Sequence, residues 1–339
     1  MTFTDNLNQI INKTNLTQEN MEAMFMDIFS GNIKDAQIGA FMAALATKGE
    51  TFEELAGAAK TMRRKAVRVQ TTANTVVDTC GTGGDSTGTF NISTTTSFVV
   101  AGCGVSVAKH GNRSISSQCG SADLLEELGV KIDTDPEIVE EAVNEIGIGF
   151  LFAPRFHGSM RHAGKARQDV GIRSIFNMLG PLTNPAAAKY QLIGVYAPEL
   201  TEMFAQTLNI LGTAKAFVVH GHDGMDEITT TTRTRVTELD NGLIKSYDLD
   251  PIKYFESYAD PKKIKGGDKA INAQITKSIL SGKKGEKRNI VLINAAAALV
   301  ASKKTQDLSS GIKMAEESID SGKANDKLNE LIEYTQDNG

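Results

Sequence analysis

Apolar side chains recur every three or four positions through the first seventy residues, which is the spacing of one face of an α-helix. A first helix is predicted between Thr17, a capping residue type, and Gly31. A second ends at Gly49, and a third opens with Thr51 and Glu54 in capping-box spacing. The residues predicted to face the core are Met21, Met24, Phe25, Ile28 and Phe29, then Ile38, Phe41, Met42 and Leu45. We therefore expect this part of the chain to be helical.

Beyond about residue 70, short runs of β-branched and apolar residues alternate with helical stretches. The predicted strands are Thr75–Thr79, Val105–Ala108, Ile148–Phe152, Leu192–Tyr196 and Ala216–His220. Helices between them include Ser121–Leu128 and one that begins at Asp135, with Pro136 at its first position. Alternation of strands and helices is typical of an α/β domain with a mostly parallel sheet.

Composition narrows the class of protein. The chain has 339 residues, of which 40% are hydrophobic, enough for one large domain or two. Its net charge of −5 argues against a nucleic-acid-binding surface, and its basic runs are short. The 3 cysteines lack Cys-x-x-Cys spacing, so no disulfide framework is expected. Because there is neither a signal-like start nor an apolar run of about 18 residues, a cytoplasmic protein without a membrane span is expected.

The densest candidate site is the glycine-rich stretch from Asp78 to Thr94, which joins a predicted strand to a helix starting near Ser93. Glycines bring the backbone close to a phosphate, and a helix N-terminus supplies unpaired N–H donors. Asp85 would repel a bare phosphate but suits sugar hydroxyls. The spacing is neither that of the dinucleotide fingerprint nor that of the P-loop. The stretch therefore favours a site for phosphate with sugar hydroxyls beside it.

A second polar stretch, from Lys109 to Ser121, also follows a predicted strand and precedes a predicted helix. It is therefore expected at the sheet edge where α/β folds place ligands. Its lysine, arginine and serines, set among glycines, could hold a second phosphate or a pyrophosphate. An ordinary serine-rich polar loop would have the same composition, and the residues alone leave both interpretations open.

A pair of adjacent carboxylates, Asp226 and Glu227, comes soon after the last predicted strand. The neighbouring His220 and His222 could suggest zinc, but no further cysteine and histidine set completes a tetrahedral site. Mg²⁺ fits better, since it takes one or two carboxylates together with substrate phosphate oxygens. Adjacent acids are usually surface charges; the position after a strand favours a metal role here.

Two further segments are predicted in less detail. Residues 156–185 form a basic helical segment that turns sharply at Gly180 and Pro181, and its histidines, His157 and His162, receive no role. Residues 258–268 are predicted to be a loop that carries the chain back over the site.

Together these motifs resemble the anthranilate phosphoribosyltransferase family, in the same order and over nearly the whole chain. The motifs are Gly81-Thr-Gly-Gly-Asp85, Asn91-Ile-Ser-Thr94, Lys109-His-Gly-Asn112, Gly120-Ser-Ala-Asp123, Arg173-Ser-Ile-Phe-Asn-Met-Leu-Gly-Pro-Leu-Thr-Asn-Pro185, Asp226-Glu227, Gly266-Gly-Asp268 and Asn294-Ala-Ala-Ala-Ala-Leu299. One departure is Ala163-Gly-Lys-Ala166, where the family usually has a proline and larger apolar residues.

The resemblance implies an α/β fold like that of nucleoside phosphorylases and phosphoribosyltransferases, with two domains around a cleft. A small α-helical domain would comprise residues 1–70 plus about 157–186, and a larger α/β domain with a mostly parallel central sheet would comprise residues 71–156 plus 187–339. The resemblance also implies a homodimer formed through the small domains. The implied reaction transfers the phosphoribosyl group of 5-phosphoribosyl 1-pyrophosphate to the amine of anthranilate, in tryptophan biosynthesis, with Mg²⁺, two ions being expected.

The resemblance also assigns residues to ligands. Those expected to hold phosphoribosyl pyrophosphate are Gly81, Gly84, Asp85, Thr89, Asn91, Ile92, Ser93, Thr94, Lys109, His110, Gly111, Asn112, Arg113, Ser114, Ile115, Ser116, Ser117 and Ser121. Those expected to contact anthranilate are Gly81, Asn112 and Arg167, and those expected to hold Mg²⁺ are Ser93, Asp226 and Glu227. No residue is assigned covalent or general-base catalysis, because an aromatic amine is already neutral at pH 7.

Two alternative functions are weighed against this interpretation. A pyrimidine nucleoside phosphorylase-like enzyme would share the glycine-rich loop but lack the acidic pair Asp226 and Glu227. A non-catalytic nucleic-acid-binding relative would need a basic stripe, which the net charge of −5 opposes.

Overall fold

The computed structural model describes residues 1–114 and 118–339. It begins with four helices: α1 (Phe3–Ile11), α2 (Gln18–Phe29), α3 (Asp35–Lys48) and α4 (Phe52–Lys65). The predicted caps are confirmed, since Thr17 accepts a hydrogen bond from the Asn20 amide and Thr51 forms a capping box with Glu54. α1 was not among the predicted helices.

The rest of the chain alternates strands and helices, as predicted. The elements are β1 (Val76–Gly81), α5 (Ile92–Gly102), β2 (Ser106–Gly111), α6 (Ser121–Leu128), α7 (Pro136–Glu145), β3 (Ile148–Phe152), α8 (Ala153–Phe156), α9 (Arg161–Val170), β4 (Tyr190–Gly194), α10 (Leu200–Ile210), β5 (Lys215–Gly221), β6 (Thr234–Asp240), β7 (Leu243–Leu249), α11 (Lys269–Leu280), α12 (Glu286–Ala301), α13 (Leu308–Asp320) and α14 (Lys323–Asn338). The predicted α6 and β3 agree with the structure at both ends.

The seven strands form one sheet in the order β3-β2-β1-β4-β5-β6-β7. β1 to β5 pair in parallel, whereas β6 and β7 add an antiparallel hairpin. The prediction of a mostly parallel α/β sheet is confirmed, and the hairpin is the part that it missed.

The strand order reverses direction between β1 and β4. The chain runs outward from β1 through β2 to β3, then returns to β4 and continues to the other edge. Gly81 at the end of β1 lies beside Gly194 at the end of β4. In open α/β sheets, ligands bind outside the carboxyl ends of the strands at such a switch point.

Apolar clusters lie on both sides of the sheet. One is built around the buried helices α5 and α12. The other runs from the N-terminal helices through Phe176 and Leu182 to Ile193 and Val218 on the sheet. Phe25 joins these parts, with ring centroids 5.9 Å from Phe41 and 5.3 Å from Phe176. The helical part of the chain is thereby packed on the strands that border the switch point. Within the described ranges, no helix combines the length and the apolar character that a bilayer span requires.

Candidate active site

The glycine-rich loop after β1 and the acidic pair after β5 meet at the switch point. The Gly83 amide donates to Asp226 Oδ2 at 2.9 Å. The amide of Ser93, in the first turn of α5, donates to Glu227 Oε1 at 3.0 Å. A Cβ on Gly81 would lie 2.6 Å from Asp226 Oδ2, so a side chain at this position would require the Asp226 carboxylate or the strand end to move. The structure thus brings together two candidate regions that lie far apart in the sequence.

The backbone that carries the acidic pair is held in place by buried polar groups. The Ile228 amide donates to Asn294 Oδ1 at 3.0 Å, and Asn294 Nδ2 donates back to the Ile228 carbonyl at 2.9 Å. Asn294 lies on α12 and is fully buried. On the other side, β4 packs so closely that a Cβ on Gly194 would lie 1.5 Å from the Asp226 carbonyl oxygen. The motif Asn294–Leu299 on α12 therefore supports the backbone that follows the acidic pair.

The surroundings of Asp226 and Glu227 disfavour the ionised form of both side chains. Burial raises the pKa of Asp226, and the nearby charge of Asp85 raises it further. Burial also raises the pKa of Glu227, and the charge of Asp226 adds to that effect. A bound cation would relieve this repulsion. Within residues 1–114 and 118–339, no three acidic, histidine or cysteine side chains are grouped as metal ligands. Mg²⁺ is commonly held by one or two carboxylates together with phosphate oxygens and water.

Lys109 places a positive charge beneath the glycine-rich loop. Its side chain is almost fully buried, with the residue 3% exposed. Nζ donates to the Thr79 carbonyl at 2.5 Å and to Ser93 Oγ at 3.5 Å. The ammonium charge lowers the pKa of Glu227, which opposes the effect of burial. The Lys109 ammonium therefore interacts electrostatically with the acidic pair.

The glycine-rich loop is irregular and is held from several sides. Gly84 has a φ of +77°, in the left-handed region. Asp85 turns back within the loop and accepts from the Thr87 hydroxyl at 2.5 Å. The Gly266 amide donates to the Gly88 carbonyl at 3.0 Å, and Thr89 forms an isolated antiparallel bridge with Lys265. The prediction that the stretch 258–268 returns over the site is confirmed at its C-terminal end.

Asn91, at the start of α5, has side-chain partners of its own. Its Nδ2 donates to the Cys119 carbonyl at 3.1 Å, and its Oδ1 accepts from Asn272 at 3.0 Å. The next residues of the motif, Ile92 and Thr94, are buried. Asn91 therefore links the glycine-rich loop to the polar stretch 109–121 and to α11.

The polar stretch after β2 lies alongside this site. Lys109, His110 and Gly111 end the strand, and the Asn112 carbonyl accepts from the Ser121 hydroxyl at 3.2 Å. The Arg113 guanidinium pairs with Asp123 and Glu126 on α6, and the Ser114 amide donates to Asp123 at 3.2 Å. The predicted site residues Ile115, Ser116 and Ser117 lie outside the described residues.

Two buried histidines lie next to each other, a feature to which the sequence analysis gave no role. The rings of His110 and His157 are 5.1 Å apart between centroids. His110 Nδ1 bonds to the Gly180 carbonyl at 2.9 Å. Burial lowers the pKa of His110 to about 4 and that of His157 to about 3, so both are neutral at pH 7. The sequence spacing could not have indicated this pair, because His110 lies near the end of β2 whereas His157 follows β3, 47 positions later.

Two arginines of the segment 157–186 have different surroundings. Arg167, on α9, is partly buried, and its guanidinium lies 5.5 Å from the centre of the Phe176 ring. Burial lowers its pKa from the ordinary value. Arg173 is exposed and donates to the Gly84 carbonyl at 2.9 Å. The sequence motif that contains Arg173 predicted no contact for this residue.

The fold and site define a glycosyltransferase with a helical bundle and an α/β domain. Residues 4–66 match the family model described as "Glycosyl transferase family, helical bundle domain", and residues 73–325 match "Glycosyl transferase family, a/b domain". Within that class, the chain belongs to the anthranilate phosphoribosyltransferase family. It is 64% identical to the anthranilate phosphoribosyltransferase of Desulfosudis oleivorans over 99% of this chain and 100% of the relative. Identity to that of Syntrophobacter fumaroxidans is 62%, over 98% and 99%.

Solved structures agree with this assignment. The anthranilate phosphoribosyltransferase of Thermus thermophilus superposes with a TM-score of 0.93, at 38% identity and with 98% of this chain and 99% of that chain covered. The Saccharomyces cerevisiae enzyme in complex with phosphoribosyl pyrophosphate and Mg superposes with a TM-score of 0.90, at 28% identity, covering 99% and 98%. The family and fold class expected from the motifs are therefore confirmed.

Proposed function

We propose that this chain transfers the phosphoribosyl group of 5-phosphoribosyl 1-pyrophosphate to the amine of anthranilate, giving N-(5-phosphoribosyl)anthranilate and pyrophosphate in tryptophan biosynthesis. One observation carries the proposal: the acidic pair is hydrogen-bonded to the glycine-rich loop and to the start of α5, through the Gly83 and Ser93 amides. This arrangement places a cation site beside backbone donors suited to phosphate.

The phosphoribosyl pyrophosphate site would extend from this point along both loops. The glycine-rich loop and the first turn of α5 offer amides and hydroxyls. Asp85, whose carboxylate accepts from Thr87 in the structure, would also accept from the ribose hydroxyls. Lys109 and the stretch through Ser121 would take the second phosphate group. Because the cradle is already held by Asn91 and by Asn294, little reorganisation is needed on binding, which favours catalysis by positioning.

The residues fit Mg²⁺, since Asp226 and Glu227 are hard oxygen donors whose charge is destabilised in its absence. With Ser93 they would hold the ion, and two ions are expected. The metal, when bound, would neutralise charge on the leaving pyrophosphate. Lys109, close to Ser93 Oγ, would add a fixed positive charge on the same side.

Anthranilate would approach from the helical side, toward Gly81, Asn112 and Arg167. Displacement at C1 of the ribose passes through a transition state with oxocarbenium character, as in glycoside cleavage. The aromatic amine is already neutral at pH 7, so no residue of the chain has to accept a proton before attack. After the C–N bond has formed, the amine loses one proton to the departing pyrophosphate or to water. The neutral, buried His110 and His157 add no charge to this region.

The finer architectural expectations belong to the same proposal. We retain a small helical domain of residues 1–70 plus about 157–186, a larger domain of residues 71–156 plus 187–339, a homodimer formed through the small domains, and a cytoplasmic location. Sedimentation velocity of the purified chain at several concentrations tests the dimer, and a monomer at micromolar concentration would contradict it.

The reaction is tested by following the fluorescence change when the purified chain is mixed with anthranilate, phosphoribosyl pyrophosphate and Mg²⁺. We expect product that depends on all three additions. Absence of product with the folded protein would overturn the proposal. Phosphorolysis of a pyrimidine nucleoside in inorganic phosphate, without the first reaction, would instead favour the nucleoside phosphorylase alternative.

A further inference from the structure

Arg173 reaches from the segment after α9 to the glycine-rich loop. One guanidinium nitrogen donates to the Gly84 carbonyl at 2.9 Å, although Arg173 and Gly84 are 89 positions apart in the chain. The guanidinium carbon also lies 4.0 Å from the centre of the Tyr196 ring, which is stacking distance. The arginine is therefore fixed from two sides, by a carbonyl and by an aromatic face.

Tyr196 is tied to the same loop. It follows β4, and its backbone amide donates to Thr82 Oγ1 at 3.1 Å. The ring that supports Arg173 thus belongs to a residue whose backbone already holds the beginning of the glycine-rich loop. Arg173, Tyr196, Thr82 and Gly84 form a closed set of contacts, which we call the arginine bridge.

The arginine bridge fixes the peptide unit that follows Gly84. Gly84 has a φ of +77° and no side chain, so its backbone is intrinsically free to rotate. The peptide unit joining Gly84 to Asp85 is planar and trans, and its carbonyl and N–H point in opposite directions. When Arg173 fixes the Gly84 carbonyl, it also fixes the direction of the Asp85 N–H, because both belong to the same planar unit.

We propose that Arg173 is a positioning residue for phosphoribosyl pyrophosphate: through the arginine bridge it holds the Gly84–Asp85 peptide in its binding orientation before the substrate arrives. This inference rests on the proposed function for the identity of the substrate. Binding to a preformed loop avoids the entropic cost of ordering it, so loss of the bridge should weaken binding of this substrate and leave the other substrate almost unaffected.

The test compares the ligand-free and the turning-over enzyme. In Arg173→Ala, hydrogen–deuterium exchange of peptides covering residues 83–88 should accelerate without substrate, and the KM for phosphoribosyl pyrophosphate should rise about tenfold, as for loss of a charge-assisted hydrogen bond. The kcat and the KM for anthranilate should stay within about twofold. Added guanidinium chloride should partly restore the KM of Arg173→Ala.

Tyr196 supplies matched variants. Tyr196→Phe keeps the aromatic face and should behave like wild type, whereas Tyr196→Leu should raise the same KM by about threefold, the scale of an exposed cation–π contact. Tyr196→Leu combined with Arg173→Ala should be no worse than Arg173→Ala alone, because the ring acts through the arginine. Arg64→Ala, which removes an exposed arginine paired with Glu22 on the helical side, is the control and should change neither KM.

Several results would overturn the inference. Unchanged exchange of the ligand-free loop with a raised KM would make Arg173 a direct ligand of the substrate. Equal rises in both KM values would make it a closure or stability residue. An Arg173→Ala variant with wild-type kinetics would remove it from the reaction. Because each comparison is made with an active wild-type enzyme, failure of the reaction itself would be visible separately, as absence of product from wild type.

Discussion

The Gly83 amide donates a 2.9 Å hydrogen bond to Asp226, a residue 143 positions further along the chain. This bond joins the loop after β1 to the loop after β5, across the intervening strand β4. A Cβ on the neighbouring Gly81 would displace the Asp226 carboxylate or the end of β1. The glycine-rich loop and the acidic pair therefore form one structural unit. A substitution in either segment should alter the geometry of the other.

Neutralising the acidic pair separates its electrostatic role from its structural one. Asp226→Asn with Glu227→Gln keeps an oxygen acceptor for the Gly83 and Ser93 amides, so the fold should persist. Activity should fall at least about 100-fold and lose its response to Mg²⁺, since the variant lacks the hard anionic ligands. The measurement is the initial rate as a function of Mg²⁺ concentration.

The control for that experiment is Glu316→Gln with Glu317→Gln, an adjacent acidic pair on α13. It should retain wild-type activity and metal response.

The Asp226→Asn, Glu227→Gln variant also has an expected stability. Because burial and mutual repulsion destabilise the charges of Asp226 and Glu227, the free energy of unfolding of this variant without metal should be no lower than that of wild type. An unchanged Mg²⁺ titration in the double variant would remove the pair from the reaction.

Gly81→Ala tests the close approach at the switch point. The new Cβ would lie 2.6 Å from Asp226 Oδ2, which forces the carboxylate or the strand end to move. We expect about 1–3 kcal/mol of destabilisation, as for overpacking, and at least about tenfold lower activity. Gly164→Ala is the matched control, because a Cβ at that helical position meets nothing within 4 Å. Equal activity of the two variants would contradict a tight Gly81–Asp226 contact.

Arg167→Ala tests the proposed anthranilate contact. A guanidinium can pair with a planar carboxylate through two hydrogen bonds, and in a closed cleft such a contact contributes about 1.5–3 kcal/mol. The kcat/KM for anthranilate should fall roughly 10- to 150-fold, with the KM for phosphoribosyl pyrophosphate nearly unchanged. An aniline without the carboxylate should be a poor substrate for both proteins. Equal losses for both substrates would assign Arg167 to phosphate binding or closure.

His157 should make the protein sensitive to acid. Its pKa is lowered by burial from an ordinary 6.5 to about 3. Between these values the unfolded chain binds a proton that the folded protein does not, so stability is present above pH ~6.5 and is lost as the pH falls. The free energy of unfolding should lose about 1.4 kcal/mol per pH unit from this residue.

In His157→Gln that contribution is absent, and the slope of stability against pH, measured by chemical denaturation between pH ~6 and ~4, should be shallower by this amount. Between pH ~7 and ~8, where the histidine is neutral in both states, the difference between variant and wild type should be constant. Parallel slopes over the acidic range would show that His157 takes up its proton in the folded state.

The sequence predicted elements whose signals are local. The capping residues Thr17 and Thr51 each bind an amide three positions later, so their helices could be identified without knowledge of the fold. The parallel strands were equally visible, since they are buried on both faces. β7 was missed because it is a partly exposed edge strand, with charged side chains at Lys245 and Asp248 that interrupt its apolar pattern.

The site was predictable as a set of motifs, and the motifs identified the family. The contacts between motifs were not. The sequence shows Asn294 in an alanine-rich helix but not that its amide holds Ile228 from both sides. It shows Arg173 but not the Gly84 carbonyl that it reaches. Such contacts depend on which strands become neighbours, and a single sequence does not report that directly.

The position of β4 has a consequence for how the protein is made. During synthesis, β1, β2 and β3 emerge first and can pair with one another, which leaves one side of β1 as an open edge. β4 covers that edge later, and the acidic pair emerges later still. A nascent chain therefore has no complete site to bind its substrates until about two-thirds of its length has been translated. A ligand that binds only the completed sheet would then stabilise the fully folded chain against unfolding, and would not stabilise incomplete chains.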